Sequence, residues 1–261
     1  MTGNTPSLWQ DHLPRPDVGG HKYHRGHAVI QAADELTGAT RLAATACSRM
    51  GAGLVTVVSP AKADFFRTVL PPDIMVRDRF DPTMRGVTAI LAGPGGGDAA
   101  AQLPELEQPA FKVLDAGALP QAGNYSTIDA KTVLTPHEGE FARAFPDITG
   151  ERAERALAAA KVCGGIVVLK GADTIIAAPD GRLVTNRHAS PFLAKAGTGD
   201  VLAGMICGLL AQLDPSTREA MFEMVCAAVW MHGEAGSRLG PGLTASDLES
   251  ALPGILRDLY G

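Results

Sequence analysis

Between residues 28 and 185 the hydrophobic positions fall into short blocks with two different rhythms. Residues 28–33, 54–58, 87–92, 111–115, 132–135 and 166–170 are apolar almost throughout, and each closes on a polar or turn-forming residue. Residues 36–50, 138–145 and 151–163 instead carry their apolar side chains at helical spacing. Strands without polar alternation must be covered on both faces, and strands separated by helices pair in parallel, so the pattern predicts the α/β class. Gly171-Ala172-Asp173 and Pro179-Asp180-Gly181 are turn signals around two further short strands, 174–178 and 182–185. From residue 197 the chain reads as helical over 198–212, 217–239 and 244–260. Residues 1–20 hold three prolines and three glycines and read as an irregular lead-in. No linker, repeat or low-complexity stretch divides residues 21–261, which are expected to form a single domain.

Composition narrows the partners. With 46% hydrophobic and 20% charged residues in 261, the chain has ample material for a core. A net charge of -5 argues against nucleic acid or an anionic membrane as partner, although local amides and one lysine suffice to hold a phosphate. The four cysteines, Cys47, Cys163, Cys207 and Cys226, show neither a C-x-x-C pair nor metal spacing. They are expected as free thiols in a reducing compartment, and no set of metal ligands is apparent. Without a basic-then-apolar leader or a membrane-length apolar run, the protein is expected to be soluble and cytoplasmic.

Candidate chemistry sits where strands end, because ligands of parallel sheets bind beyond the carboxyl ends. Lys195-Ala196-Gly197-Thr198-Gly199-Asp200 leads directly into an Ala/Leu/Met-rich helix. Glycine lets successive N–H groups converge, and the helix N-terminus adds unpaired donors and a positive dipole. The segment therefore reads as a phosphate cradle formed by the amides of residues 197–200, with Asp200 placed as a base. Thr198 and Asp200 acting only as helix caps is the plainer alternative. Lys170-Gly171 closes a buried strand and suits a phosphate contact, against the alternative of a solvated lysine in a hairpin. His137 follows Thr135-Pro136 at another strand end, either facing the rim or simply starting a helix. Gly93-Pro94-Gly95 permits close approach of backbone to ligand, and Asp115 offers a carboxylate to a magnesium-bound water or a substrate.

Taken together these segments resemble the ADP/ATP-dependent (S)-NAD(P)H-hydrate dehydratases of the ribokinase-like superfamily. The likeness runs from His21-Lys22 to about Pro253 and includes the 51–57 segment, Gly93-Pro94-Gly95, Asp115-Ala116-Gly117, Thr135-Pro136-His137-Glu138-Gly139-Glu140, Lys170-Gly171, Gly197-Thr198-Gly199-Asp200 and the late helix ending in His232-Gly233. The resemblance implies a three-layer α/β/α fold with a mostly parallel central sheet. It implies repair of NADH and NADPH hydrates: a nucleotide phosphorylates the hydrate hydroxyl, and phosphate then leaves to restore the double bond. Bacterial members use ADP, giving AMP and phosphate, whereas eukaryotic members generally use ATP; Mg2+ accompanies the nucleotide. Carried over position by position, Ala39, Gly95, His137 and Asp200 contact the hydrate, with Asp200 the catalytic base. Lys170, Gly171, Ala172, Asp173, Thr174 and Gly199 contact the nucleotide, joining Gly197 and Thr198 of the cradle. The family is often tetrameric and often fused to an epimerase, which here is expected as a separate protein.

Two segments depart from the family pattern. A Gly-rich turn after the first strand is replaced by Gln31-Ala32-Ala33-Asp34, and Tyr23-His24-Arg25-Gly26 follows His21-Lys22. Both are expected to alter the edge of the substrate pocket. The competing functions are a small-alcohol kinase of the same superfamily, acting on a thiazole or hydroxymethylpyrimidine, and a non-catalytic nucleotide-binding module.

Overall fold

The computed structural model describes residues 2–97, 103 and 108–261. Ten strands form one sheet: β1 Thr2–Gly3, β2 His27–Gln31, β3 Leu54–Val58, β4 Met75–Arg77, β5 Val87–Ala92, β6 Phe111–Leu114, β7 Thr132–Leu134, β8 Ile166–Leu169, β9 Thr174–Ala177 and β10 Leu183–Asn186. Their order is β1-β10-β9-β8-β7-β6-β5-β2-β3-β4. Among the described strands only β9 runs against its neighbours, pairing antiparallel with β8 and β10. Among the described residues the helices are α1 Thr37–Arg49, α2 Ala63–Val69, α3 Glu138–Ala144, α4 Arg152–Cys163, α5 Thr198–Leu210, α6 Met221–Leu239 and α7 Ala245–Tyr260.

The uninterrupted apolar strands are explained by two cores. Val113, Val133 and Val168 point into the core built with α1, α5, α6 and α7. Their neighbours Leu114, Leu134, Val167 and Leu169 point the other way, onto α3 and α4. Period-two alternation then yields strands that are apolar at every position. This is the mostly parallel, three-layer α/β/α arrangement expected.

Helix α5 lies at the centre, with eleven of its thirteen residues buried. A Cβ on Gly204 would stand 2.2 Å from the Ala43 carbonyl oxygen, and one on Gly208 would stand 2.4 Å from that of Cys47. These two glycines therefore set how closely α5 approaches α1.

The stretch expected to be irregular contributes structure. Thr2–Gly3 adds a parallel edge strand beside Val184–Thr185, and Trp9 is fully buried against Trp230, with ring centroids 5.6 Å apart. Burying an indole removes roughly 200 Å² from water, worth about 5 kcal/mol at about 25 cal/mol per Å². The tryptophan outweighs the local prolines and glycines, which spacing alone did not reveal.

The parallel strands deliver Ala32, Ser59, Gly93, Asp115, Thr135 and Lys170 to one rim, just past the ends of β2, β3, β5, β6, β7 and β8. Because β9 reverses and β10 turns back, Asn186 also ends on that rim, and the chain continues from there to the start of α5. Residues 21–26 precede β2 and lie at the opposite edge, where a Cβ on Gly26 would strike the Ala211 carbonyl oxygen beyond the C-terminus of α5. The expectation that Tyr23 to Gly26 shape the substrate pocket is therefore overturned: strand direction carries them to the far end. Gln31 to Asp34 do reach the rim.

Candidate active site

Gly197 is the N-cap of α5 in a left-handed conformation (φ 90°, ψ -17°), which brings the chain into the helix without a side-chain cap. The Thr198 hydroxyl donates back to the carbonyls of Leu193 (2.8 Å) and Lys195 (3.0 Å), holding the loop in place. Among the described residues, the amides of Gly199 and Asp200 have no acceptor. They are first-turn donors open to an anion. Asp200 accepts no capping bond, so the plain helix-cap alternative does not account for it.

Lys170 is not a solvated hairpin lysine. Its side chain is 18% exposed and its ammonium lies 2.8 Å from Asp115 Oδ1 and 3.7 Å from Glu140 Oε2. Asp115 also accepts from the Thr135 hydroxyl at 2.8 Å, and Glu140 Oε2 accepts from the His137 amide at 2.8 Å. Three strand ends and α3 are thus tied to one ammonium. The Arg152 guanidinium donates to the carbonyls of Leu169 and Lys170, and a Cβ on Gly171 would come within 2.4 Å of it. A side chain in place of Gly171 would have to displace this guanidinium. A Cβ on Gly199 would lie 3.4 Å from Lys170 Nζ, so the ammonium stands beside the open amides.

These charges act on Asp200. Burial first, then the neighbouring Asp115 and Glu140 carboxylates, push its carboxyl up to about 6, with Lys170 opposing. A carboxylate in that range is a base at neutral pH with more proton affinity than a surface aspartate. On the other side of the first turn, His232 Nε2 meets the Thr198 carbonyl at 2.9 Å. Burial, with the Lys170 charge adding to it, pulls that imidazole down to about 4, so it is neutral and donates.

His137 caps α3: its Nδ1 accepts from the amides of Gly139 (3.0 Å) and Glu140 (3.3 Å). In the neutral ring the proton therefore sits on Nε2. His137 also borders a cavity of about 680 Å³, so the helix-start and rim placements both hold. That cavity is lined as well by Lys170, Gly171, Ala172, Thr174, Thr198 and Gly199, joining seven of the residues picked out in the sequence.

Ala39 and Gly95 form a separate pair. A Cβ on Gly95 (φ +88°) would stand 3.2 Å from Ala39 Cβ and 2.7 Å from Ala33 Cβ. The altered turn at 31–34 thus borders this pair. Two expected nucleotide contacts, and the expected hydrate contact Asp200, are not on the cavity wall. Asp173 pairs with Arg187 on the surface at 3.3 Å, and Gly197 packs toward Leu42 and Ala245.

The NAD(P)H-hydrate dehydratase family model matches residues 28–253. The chain belongs to this family. A bifunctional NAD(P)H-hydrate repair enzyme from Synechocystis is 34% identical over 86% of this chain and 46% of its own length. The chain spans about half the length of the bifunctional relatives it matches. The ADP/ATP-dependent NAD(P)H-hydrate dehydratase of Bacillus subtilis, co-crystallised with ATP and Mg2+, superposes with a TM-score of 0.79 at 30% identity, covering 99% of this chain and 98% of that one. A ribokinase-like superfamily protein from Enterococcus faecalis has a TM-score of 0.81 at 26% identity, covering 99% and 96%. The fold is ribokinase-like, as the resemblance implied.

Sequence reasoning missed several wall residues of this family member, among them Asn186, Leu202, Val229 and His232. It also passed over Glu140 as a charge partner. His232, a polar residue directly after the apolar run 224–231, was the signal available. The others look like ordinary core or strand residues until the fold places them.

Proposed function

We propose that this protein is an ADP-dependent (S)-NAD(P)H-hydrate dehydratase, a hydro-lyase that repairs hydrated NADH and NADPH. The observation that carries the reading is the meeting of Asp200, the Lys170 ammonium and the open amides of Gly199 and Asp200 at one rim. The nucleotide lies in the cavity bordered by Lys170, Gly171, Ala172 and Thr174, with the backbone of residues 197–199 cradling its phosphates. Ala39, Gly95 and His137 flank the hydrate. Asp200 takes the proton of the hydrate hydroxyl as that oxygen attacks the terminal phosphorus and AMP departs. Lys170 and the amides offset the charge on the moving phosphoryl group. Phosphate then leaves with the C–O bonding pair while the adjacent ring carbon loses a proton, restoring the double bond.

Magnesium fits this site as a companion of the nucleotide. Among the described residues no group of three His, Cys, Asp or Glu side chains could cage a metal ion. Mg2+ characteristically keeps waters and binds through one or two carboxylates and phosphates, so Asp115 and Glu140 are the groups available to its water shell. When bound, it neutralises phosphate charge.

The four cysteines are free and buried, which supports a reducing, cytoplasmic setting. Among the described residues no helix is long and apolar enough to cross a membrane. Assembly as a homotetramer and work alongside an NAD(P)H-hydrate epimerase complete the proposal, following the family resemblance.

The test incubates the protein with NADH hydrate, Mg2+ and either ADP or ATP, following NADH absorbance and phosphate release together. Equal appearance of NADH and phosphate is expected, faster with ADP. A phosphorylated product that persists would identify a small-alcohol kinase instead, and no NADH with either nucleotide overturns the reading.

A further inference from the structure

The cavity bordered by Lys170 has a wall that runs from Asn186 through Ala189 and Ser190 to Lys195, facing Val229, His232 and Gly233 of α6. Behind this wall sits a chain of buried polar groups that begins in the first residues of the protein. The Trp9 indole N–H donates to Asn4 Oδ1 at 3.1 Å. Asn4 Nδ2 donates to Asn186 Oδ1 at 2.9 Å and to the Cys226 carbonyl at 2.8 Å. Asn186 Nδ2 in turn donates to the His188 carbonyl at 2.9 Å. Asn4 and Asn186 are 5% and 2% exposed, so water cannot stand in for any of these partners.

The direction of the chain is fixed by chemistry. An indole N–H only donates, so Asn4 must present its oxygen to Trp9 and its amino group to Asn186. Asn186 must then present its oxygen to Asn4, which leaves its amino group for the His188 carbonyl, an acceptor only. The Trp9 donor and the Cys226 and His188 carbonyls thereby agree on both amide orientations, and Asn4 pins the residue that opens the cavity wall.

The same residue joins the two walls. Asn4 bonds β10 through Asn186 and α6 through Cys226, while its own amide donates to Thr185 at 2.9 Å. The His188 ring stacks on Trp230 (centroids 4.5 Å, planes 12° apart), its Nε2 meets Glu234 at 2.7 Å, and Trp9 packs on Trp230 from behind. A Cβ on Gly233 would fall 1.7 Å from the His188 carbonyl oxygen, so α6 and the wall are in backbone contact there.

We infer that Trp9 and Asn4 are positioning residues for the adenine nucleotide: without touching it, they fix the spacing and orientation of the two walls that receive it. The inference rests on reading this cavity as the nucleotide site. It assigns a functional role to a segment whose composition suggested only a lead-in. The hydrate side, with Ala39 and Gly95, lies outside this network.

Trp9→Phe keeps an aromatic ring against Trp230 and removes the indole N–H, leaving the buried Asn4 Oδ1 without its donor. ADP binding is measured by isothermal titration calorimetry, alongside steady-state turnover of NADH hydrate. The expected result is a three- to tenfold rise in the Kd and KM for ADP, with kcat within twofold and the KM for hydrate unchanged. Asn4→Asp is the second variant: it keeps the acceptor for Trp9, loses both donors, and should weaken ADP at least as much. Phe66→Leu, in the core under α2, controls for a general loss of packing and should leave ADP affinity unaltered. If the unaltered protein binds no ADP, the nucleotide reading and this inference fall together. If it binds ADP and both variants, folded by circular dichroism, bind within 1.5-fold of it, the inference alone is overturned. Equal weakening in Phe66→Leu, or an equal rise in the KM for hydrate, would overturn it as well.

Discussion

Replacing Asp200 by Asn should remove turnover and stabilise the protein, and the two effects share one cause. Burial and the Asp115 and Glu140 charges hold the folded carboxyl at about 6 against an ordinary value of 3.8. The folded state therefore binds this proton more tightly than the unfolded chain does. Stability from that proton is fully present below about pH 4 and is lost as pH rises through about 6. At pH 8 the ionised carboxylate costs the fold about 3 kcal/mol, at about 1.4 kcal/mol per factor of ten in proton affinity. Asp200 is partly exposed, and water softens that cost to about 1–3 kcal/mol. The asparagine variant has no charge to bury. Its melting temperature should exceed that of the unaltered protein by about 2–12 °C at pH 8, at about 2–4 °C per kcal/mol for a chain of this size. The gain should shrink as pH falls through 6 and vanish near pH 4. Turnover should fall by roughly 10²–10⁴ with ADP binding largely kept. In the unaltered protein, kcat/KM for the hydrate should rise with pH through about 6, as the base loses its proton. Differential scanning calorimetry across pH and the coupled NADH assay read the two effects. An asparagine variant that keeps its turnover, or that melts no higher at pH 8, would refute the assignment of Asp200 as a charged base held in a costly place.

Two further outcomes separate charge from shape. Lys170→Met leaves Asp115 and Glu140 buried without their cation, so it should cost about 3–5 kcal/mol in urea unfolding. Because the Lys170 charge lowers the Asp200 carboxyl, the acidic limb of the pH–rate profile should move to higher pH in that variant. Gly199→Ala places a methyl 3.4 Å from Lys170 Nζ, in the cradle but without backbone strain, so ADP affinity should fall at least tenfold with melting little changed. Gly197→Ala forces a left-handed φ of 90° and a 2.7 Å contact with Leu42, so there melting should fall by the equivalent of about 1–3 kcal/mol.

Much of this molecule is legible in the order of its residues. The strands are apolar at every position because both faces of the sheet are covered, and that signal is local and survives in one dimension. Gly197-Thr198-Gly199-Asp200 and Lys170-Gly171 are legible for a similar reason: a phosphate cradle needs particular residue types at fixed spacing. The hydroxyl of Thr198 and the ring of His137 show where local reading stops. Both were assigned to ligands, and both are also bound into loop and cap geometry.

The class of fold, and the candidate cradle with the base proposed for it, were thus legible in the sequence alone, because each depends on neighbours within a few residues. Tertiary structure decided what surrounds them. Asp115 and Lys170 are 55 positions apart, and Asn4 and Asn186 are 182 apart, yet each pair is in hydrogen-bond contact. Such contacts depend on strand order and direction, which no local pattern encodes. The same geometry sends His21 to Gly26 away from the rim and brings residues 2–9 up behind the cavity wall. The proton affinity of Asp200 belongs to this second group, since it is set by burial and by two carboxylates and a lysine that meet only when the sheet is assembled.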